Sequence, residues 1–189
     1  IAEACGAATP ARIEARSSAR MLTVQDPWTN MLRLTSATFG AAVGGADAVV
    51  LGAFTDAIGR PTAFARRQSR NTQLILMEEA HLGRVADPGA GAGYIEDLTR
   101  AIAEAAWTRF QDIEAAGGLV AALSDGLIAR DIAAAVAARA AAGVPKIVGV
   151  TAFPPTAEAV VEVDRTPARP VEAPSARLLG PDSRCPPLT

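Results

Sequence analysis

Apolar residues fall at helical intervals at Trp28, Met31, Leu32, Thr35 and Phe39, in a stretch opened by Asp26-Pro27 and closed by Gly44-Gly45. An acidic N-cap, proline at the first helical position and a double-glycine stop mark both ends, so the pattern predicts an amphipathic helix. The next run, Ala46 to Phe54, is short and mostly apolar, as strands are when a parallel sheet is covered on both faces. A second helix is predicted from Pro61 to Glu79, basic in its first half and apolar in its second, with Phe64, Thr72, Ile75, Leu76 and Glu79 at helical steps. After the turn at 87–93, Ile95, Leu98, Ile102, Ala105, Phe110 and Ile113 set out a long helix over 94–116 that stops at Gly117-Gly118. At 1.5 Å per residue it reaches about 35 Å and should lie along a large scaffold. An alanine-rich helix over 124–142 and a short strand over 145–153 complete the ordered pattern.

Beyond Phe153 the periodicity ends. Residues 154–189 hold eight of the thirteen prolines and few apolar residues, a composition that gains too little from burial to order itself, so this part is expected to be a disordered linker or tail. The organisation expected is an irregular N-terminal segment over 1–11, an α/β domain over 12–153 and the Pro-rich tail over 154–189. The first residue is Ile1 rather than methionine, which suggests a piece of a longer parent.

Composition narrows the function classes. With 18 Lys and Arg against 20 Asp and Glu, a net charge of −2 and no sustained basic block, nucleic acid is not an expected partner. No apolar run is long enough to cross a membrane and the start lacks a signal-peptide pattern, so the expected location is the cytoplasm. Cys5 and Cys185 lie far apart and a single histidine, His81, is present, which is too little for a zinc or iron site at short ligand spacing.

The segments LTVQDPWTN, RNTQLILMEEAHLGRVADP, EAAGG and GVTAF, in this order, resemble the C-terminal half of the substrate barrel in the methylmalonyl-CoA mutase family. The resemblance covers about 12–155. It implies the C-terminal part of a (β/α)8 TIM barrel, of which about 150 residues are present against the roughly 250 such a barrel needs. Members hold an acyl-CoA in the barrel, and a separate flavodoxin-like domain carries adenosylcobalamin for a radical rearrangement.

The departures from the family pattern point to one of its subunits. Where catalytic members carry an Arg-x-His-x-Gln-Thr-Ser-Gly run, this chain has RIEARSSA: Arg12 and Ser18 persist, Glu14 replaces the histidine, Arg16 replaces the glutamine and Ser17 follows. A carboxylate only accepts and a guanidinium only donates, so the neutral donor-acceptor chemistry is gone. At the following strand, Asp47 stands where catalytic members have a glutamine. The resemblance therefore implies the small, non-catalytic subunit, which pairs with a catalytic large subunit in a heterodimer. It implies that the chain binds no cofactor alone, while the complex uses adenosylcobalamin. Arg12, Glu14, Arg16, Ser17, Ser18 and Asp47 are carried over as candidate substrate-binding positions, with acyl-CoA a ligand left open. The alternative is an active mutase that binds acyl-CoA through Arg12, Arg16 and Ser17.

Three features have simpler uses. Asp47 fits a turn cap, and no partner for acid-base work is evident in the sequence. His81 fits a helix C-terminus, and no Asp-x-His-x-x-Gly cobalt-ligand pattern surrounds it. Arg66, Arg67 and Arg70 could hold a CoA phosphate but more often such a cluster is a solvated helix face or a subunit contact. The glycines at 89–93 follow Asp87-Pro88, with no preceding strand and no lysine after them, and read as a loop.

Overall fold

A computed structural model describes residues 6–9, 11–157 and 160–166. Cys5, Cys185 and the part of the expected 154–189 tail from 167 onward lie outside the described residues, whereas residues 160–166 of that expected tail bridge to Arg60 and set Val161 against the core. Contacts divide the chain into two compact units: residues 90–144 form one, and the described residues before 90 and after 144 form the other.

The second of these is a β-α-β-α arrangement. Strand β1 (Glu14–Arg16) runs parallel to β2 (Ala48–Val50), with Ala15 opposite Val49. Helix α1 (Thr29–Val43) is the crossover, and α2 (Ala63–Leu74) follows β2. The chain is thus a helix-rich α/β protein with a small parallel sheet. Its core is Leu22, Leu34, Ala53, Phe54 and Ala65, flanked by Met21, Trp28, Met31, Leu51 and Val161. Trp28 stacks on Phe54 at 5.1 Å between ring centroids, and Phe64 meets both rings edge-on at 6.4 Å.

Helix α1 starts two residues later than its capping signal implied, at Thr29 rather than Pro27. Asp26 sits in the left-handed region at φ 45°, its carboxylate accepts the Thr29 hydroxyl, and a tight turn leads into the helix. The inward stripe also differs. Asn30, Leu34 and Thr38 are buried, whereas Leu32 is 69% exposed and Phe39 47%. Polar residues can occupy such a stripe because their bonds are met inside. Asn30 Nδ2 donates to the carbonyls of Thr23 at 2.9 Å and Phe54 at 3.0 Å, and its Oδ1 accepts from Thr23 N–H at 3.0 Å and Arg33 Nη1 at 2.7 Å.

The expected strand over 46–54 pairs only at 48–50. Past Val50 the chain leaves the ladder and drives Ala53, Phe54 and Thr55 into the core, so the apolar run marked burial rather than strand length. The expected strand over 145–153 is instead a compact turn. The Ile147 carbonyl accepts from the N–H groups of Val150, Thr151 and Ala152, and Gly149 reverses the chain at φ 79°. A side chain at Gly149 would collide with the Asp26 carboxylate. Arg33 Nη2 donates to the Val148 carbonyl at 2.5 Å and fastens this turn to α1.

Helix α2 is capped by Thr62, whose hydroxyl accepts from Ala65 N–H at 3.3 Å, and runs on into a π-helical turn at Ile75–Glu79.

In the unit over 90–144, α3 (Gly93–Ala115) matches the expected long helix closely, and no residue along it is buried. The expected helix over 124–142 is preceded by a short separate one: α4 (Leu119–Ser124) and α5 (Leu127–Ala141) are divided at Asp125-Gly126, where Gly126 adopts φ 74°. Arg109 of α3 lies 3.3 Å from Asp112 and 3.5 Å from Asp131 of α5.

Candidate functional site

Parallel strands in open α/β sheets and barrels present their C-terminal ends to ligands. Here those ends are Arg16-Ser17 and Val50 to Gly52. Ser17 N–H donates to the Val50 carbonyl at 3.1 Å, extending the pairing by one residue. Ser17 Oγ accepts from Gly52 N–H at 2.8 Å, and Ser69 Oγ, from α2, donates to the Gly52 carbonyl at 2.7 Å. Asp56 turns its Oδ2 back to accept from Ala53 N–H at 2.9 Å. A Cβ on Gly52 would stand 2.5 Å from Asp56 Oδ2 and 3.0 Å from Ser17 Oγ, so only glycine fits beneath these two oxygens.

Burial raises the Asp56 carboxyl above its ordinary value of 3.8, with the Ala53 N–H pulling the other way. Both oxygens at this corner already accept backbone hydrogen bonds. Gly52, Asp56 and Ser69 were missed in the sequence. The signal available was the spacing in GAFTD, a glycine followed four residues later by an aspartate just past the apolar run.

The candidates carried over from the sequence divide between the two ends of the sheet. Arg12 is exposed at the end before β1. Asp47 joins it there: its Oδ2 accepts from Ile13 N–H at 2.7 Å while its own N–H donates to the Ile13 carbonyl at 2.9 Å, which is a capping use. Ser17 lies at the opposite end, about 13 Å away at the rise of an extended strand. Ser18 caps the 3-10 turn at Ala19–Met21, accepting from Arg20 N–H at 3.3 Å. Glu14 and Arg16 project from one face of β1 and pair with each other, Oε1 to Nε, at 2.5 Å. That face is the solvent-exposed one, whereas Ala15 and Val49 line a narrow cleft against Thr38 and Ala41 of α1.

Of the remaining candidates, Arg66 donates to the Pro61 carbonyl at 2.6 Å, and Arg67 and Arg70 lie exposed on α2. His81 is exposed, in the left-handed conformation at φ 55°, directly beyond the π-helical turn. The glycine segment is a turn, as expected, and Gly91 N–H donates to Glu96 Oε1 at 3.0 Å. Among the described residues no group of His, Cys, Asp and Glu could hold a metal ion. None of their helices is long and apolar enough to cross a membrane.

The profile of the family described as methylmalonyl-CoA mutase matches residues 2–179. The chain belongs to the methylmalonyl-CoA mutase family. A Streptomyces virginiae protein named methylmalonyl-CoA mutase small subunit is 49% identical over 175 residues, covering 90% of this chain and 28% of that protein. The methylmalonyl-CoA mutase small subunit of Propionibacterium freudenreichii subsp. shermanii is 40% identical over 164 residues, 85% of this chain and 26% of the relative. The chain spans 28% and 26% of the lengths of these two mutase relatives.

Proposed function

We propose that this chain is part of the small, non-catalytic subunit of a cytoplasmic methylmalonyl-CoA mutase. It comes from the C-terminal part of a (β/α)8 barrel and supports a catalytic large subunit that interconverts methylmalonyl-CoA and succinyl-CoA. The barrel reading rests on the β1-α1-β2-α2 order, with the parallel pair covered by α1 on one face and bare on the other. In a barrel the bare face, with Glu14, Arg16 and Val50, would turn inward.

The observation that carries the non-catalytic reading is the Glu14–Arg16 pair at 2.5 Å. It stands at the positions where the resemblance places the histidine and glutamine of catalytic members. The two charges satisfy each other, so neither is left as a neutral group to meet a substrate or a corrin. Residues of this chain do not make a cobalamin site either. His81 is the single imidazole of these 189 residues, set between Ala80 and Leu82 outside any Asp-x-His-x-x-Gly pattern, and adenosylcobalamin is assigned to the complex by the family resemblance.

Co-expression of the full parent chain with a catalytic large subunit tests this. The two should purify as a heterodimer whose isomerase activity depends on the large subunit, while the parent chain alone gives no isomerisation. Turnover of methylmalonyl-CoA by the parent chain without its partner would overturn the assignment.

A further inference from the structure

The loop between β2 and α2 carries the corner residues Gly52 and Asp56, and a distant piece of chain holds it from outside. Within the loop, Asp56 N–H donates to the Ala53 carbonyl at 3.0 Å, and the N–H groups of Ile58 and Gly59 both donate to the Thr55 carbonyl at 2.9 Å. Residues 51–59 are therefore a tight, internally bonded turn.

Segment 160–166 lies across its far end. Asp164 N–H donates to the Arg60 carbonyl at 2.9 Å in an antiparallel bridge. Arg60 Nη1 donates to the Thr166 carbonyl at 3.2 Å over a separation of 106 residues. Thr166 N–H in turn donates to Asp164 Oδ1 at 2.9 Å, which fixes the local bend. Side-chain carbons of Val163 lie 3.0 to 3.3 Å from the point a Gly59 Cβ would occupy, so the segment sits directly on that glycine. Val161 packs against the core cluster. The segment thus combines an apolar anchor, a side chain seated on a glycine and a backbone bridge, all on one loop.

We propose that residues 160–166 form a strap that fixes the loop over 51–61 and so couples the position of the downstream chain to the corner at Ser17, Gly52 and Asp56. Gly59 and Asp56 belong to the same tight turn, so a shift of the strap moves the corner without needing to disturb β1 or α1. The inference goes beyond the subunit assignment and does not depend on it, because it concerns the geometry of this chain alone.

Hydrogen exchange on the full parent chain tests it at the amides of Ile58 and Gly59. Val163→Ala removes Cγ1 and Cγ2, two of the three side-chain carbons seated over Gly59, while keeping Cβ, and should speed exchange at these two amides roughly tenfold, with those of β1 and α1 unchanged. Asp164→Pro deletes the bridging N–H and should exceed that effect. Where the proline variant fails to fold, the alanine variant decides alone. Unchanged exchange at Ile58 and Gly59 in Val163→Ala, or equal acceleration through β1 and α1, would overturn the strap.

Discussion

Asn30 is fully buried and ties Thr23 and the Phe54 carbonyl to α1 through both ends of its amide, while also accepting from Arg33 one turn along the same helix. Asn30→Ala leaves buried carbonyl acceptors and an N–H without partners and should lower unfolding free energy by about 3 kcal/mol, read as a shift in urea midpoint at unchanged slope. Asp56 gives a pH signature. Its folded-state pKa is raised above the ordinary 3.8, so its contribution to stability is fully present below 3.8 and is lost as pH rises through the folded value. Asp56→Asn should remove that decline, making the variant relatively more stable at neutral pH. Denaturant midpoints measured at pH 3.5 and pH 7 in both proteins check it, and a parent that gains stability relative to the variant as pH rises across this window contradicts it. Asp164 works in the other direction. Its carboxyl is lowered chiefly by bonding to Thr166, with Arg60 and Arg66 adding to this, so its contribution is present above 3.8 and is lost in more acid solution.

At the scale of elements, the helices were the legible part. The long helix at 93–115 and the one beginning near Pro61 followed from period and caps, because amphipathic spacing over three or more turns is a strong local signal. The strands were not, since 46–54 owes its apolar character to a plunge into the core and 145–153 is a turn built on one carbonyl. Of the residues at the corner, Ser17 was one of the positions the family resemblance carried over. Gly52 and Asp56 were not, because a backbone pocket formed by a missing Cβ leaves no periodic trace. The inward face of α1 was misassigned at Leu32 and Phe39 for the opposite reason: buried Asn30 and Thr38 read as polar in the sequence although their partners are internal. Helix α3 carries its own prediction. Tyr94 is 81% exposed and Ile102 60%, with Ile95 and Leu98 each at 46%, an apolar burden that a helix lying along a larger scaffold would cover. The 189-residue chain alone should therefore self-associate, and Tyr94→Lys with Ile102→Lys should shift its sedimentation toward smaller species. A parent chain already monodisperse and monomeric would contradict this.

For the whole molecule, the bond from Arg33 to the Val148 carbonyl joins residues 115 apart in the chain. A growing polypeptide must therefore release the entire 90–144 unit before the turn at 147–152 is available to α1. At roughly 5 to 20 residues per second, synthesis imposes a delay of about 6 to 23 s between the appearance of Arg33 and that of its partner. During that interval Asn30 and Arg33 are already present while the Val148 carbonyl is not, and the core waits for Val161 as well. The three helices made in the meantime have mainly local contacts, which close quickly, so the unit that emerges second is the one able to finish first. Contacts local to 90–144 are therefore available before those that complete the earlier sheet unit, which must wait for Val148 and Val161 to emerge.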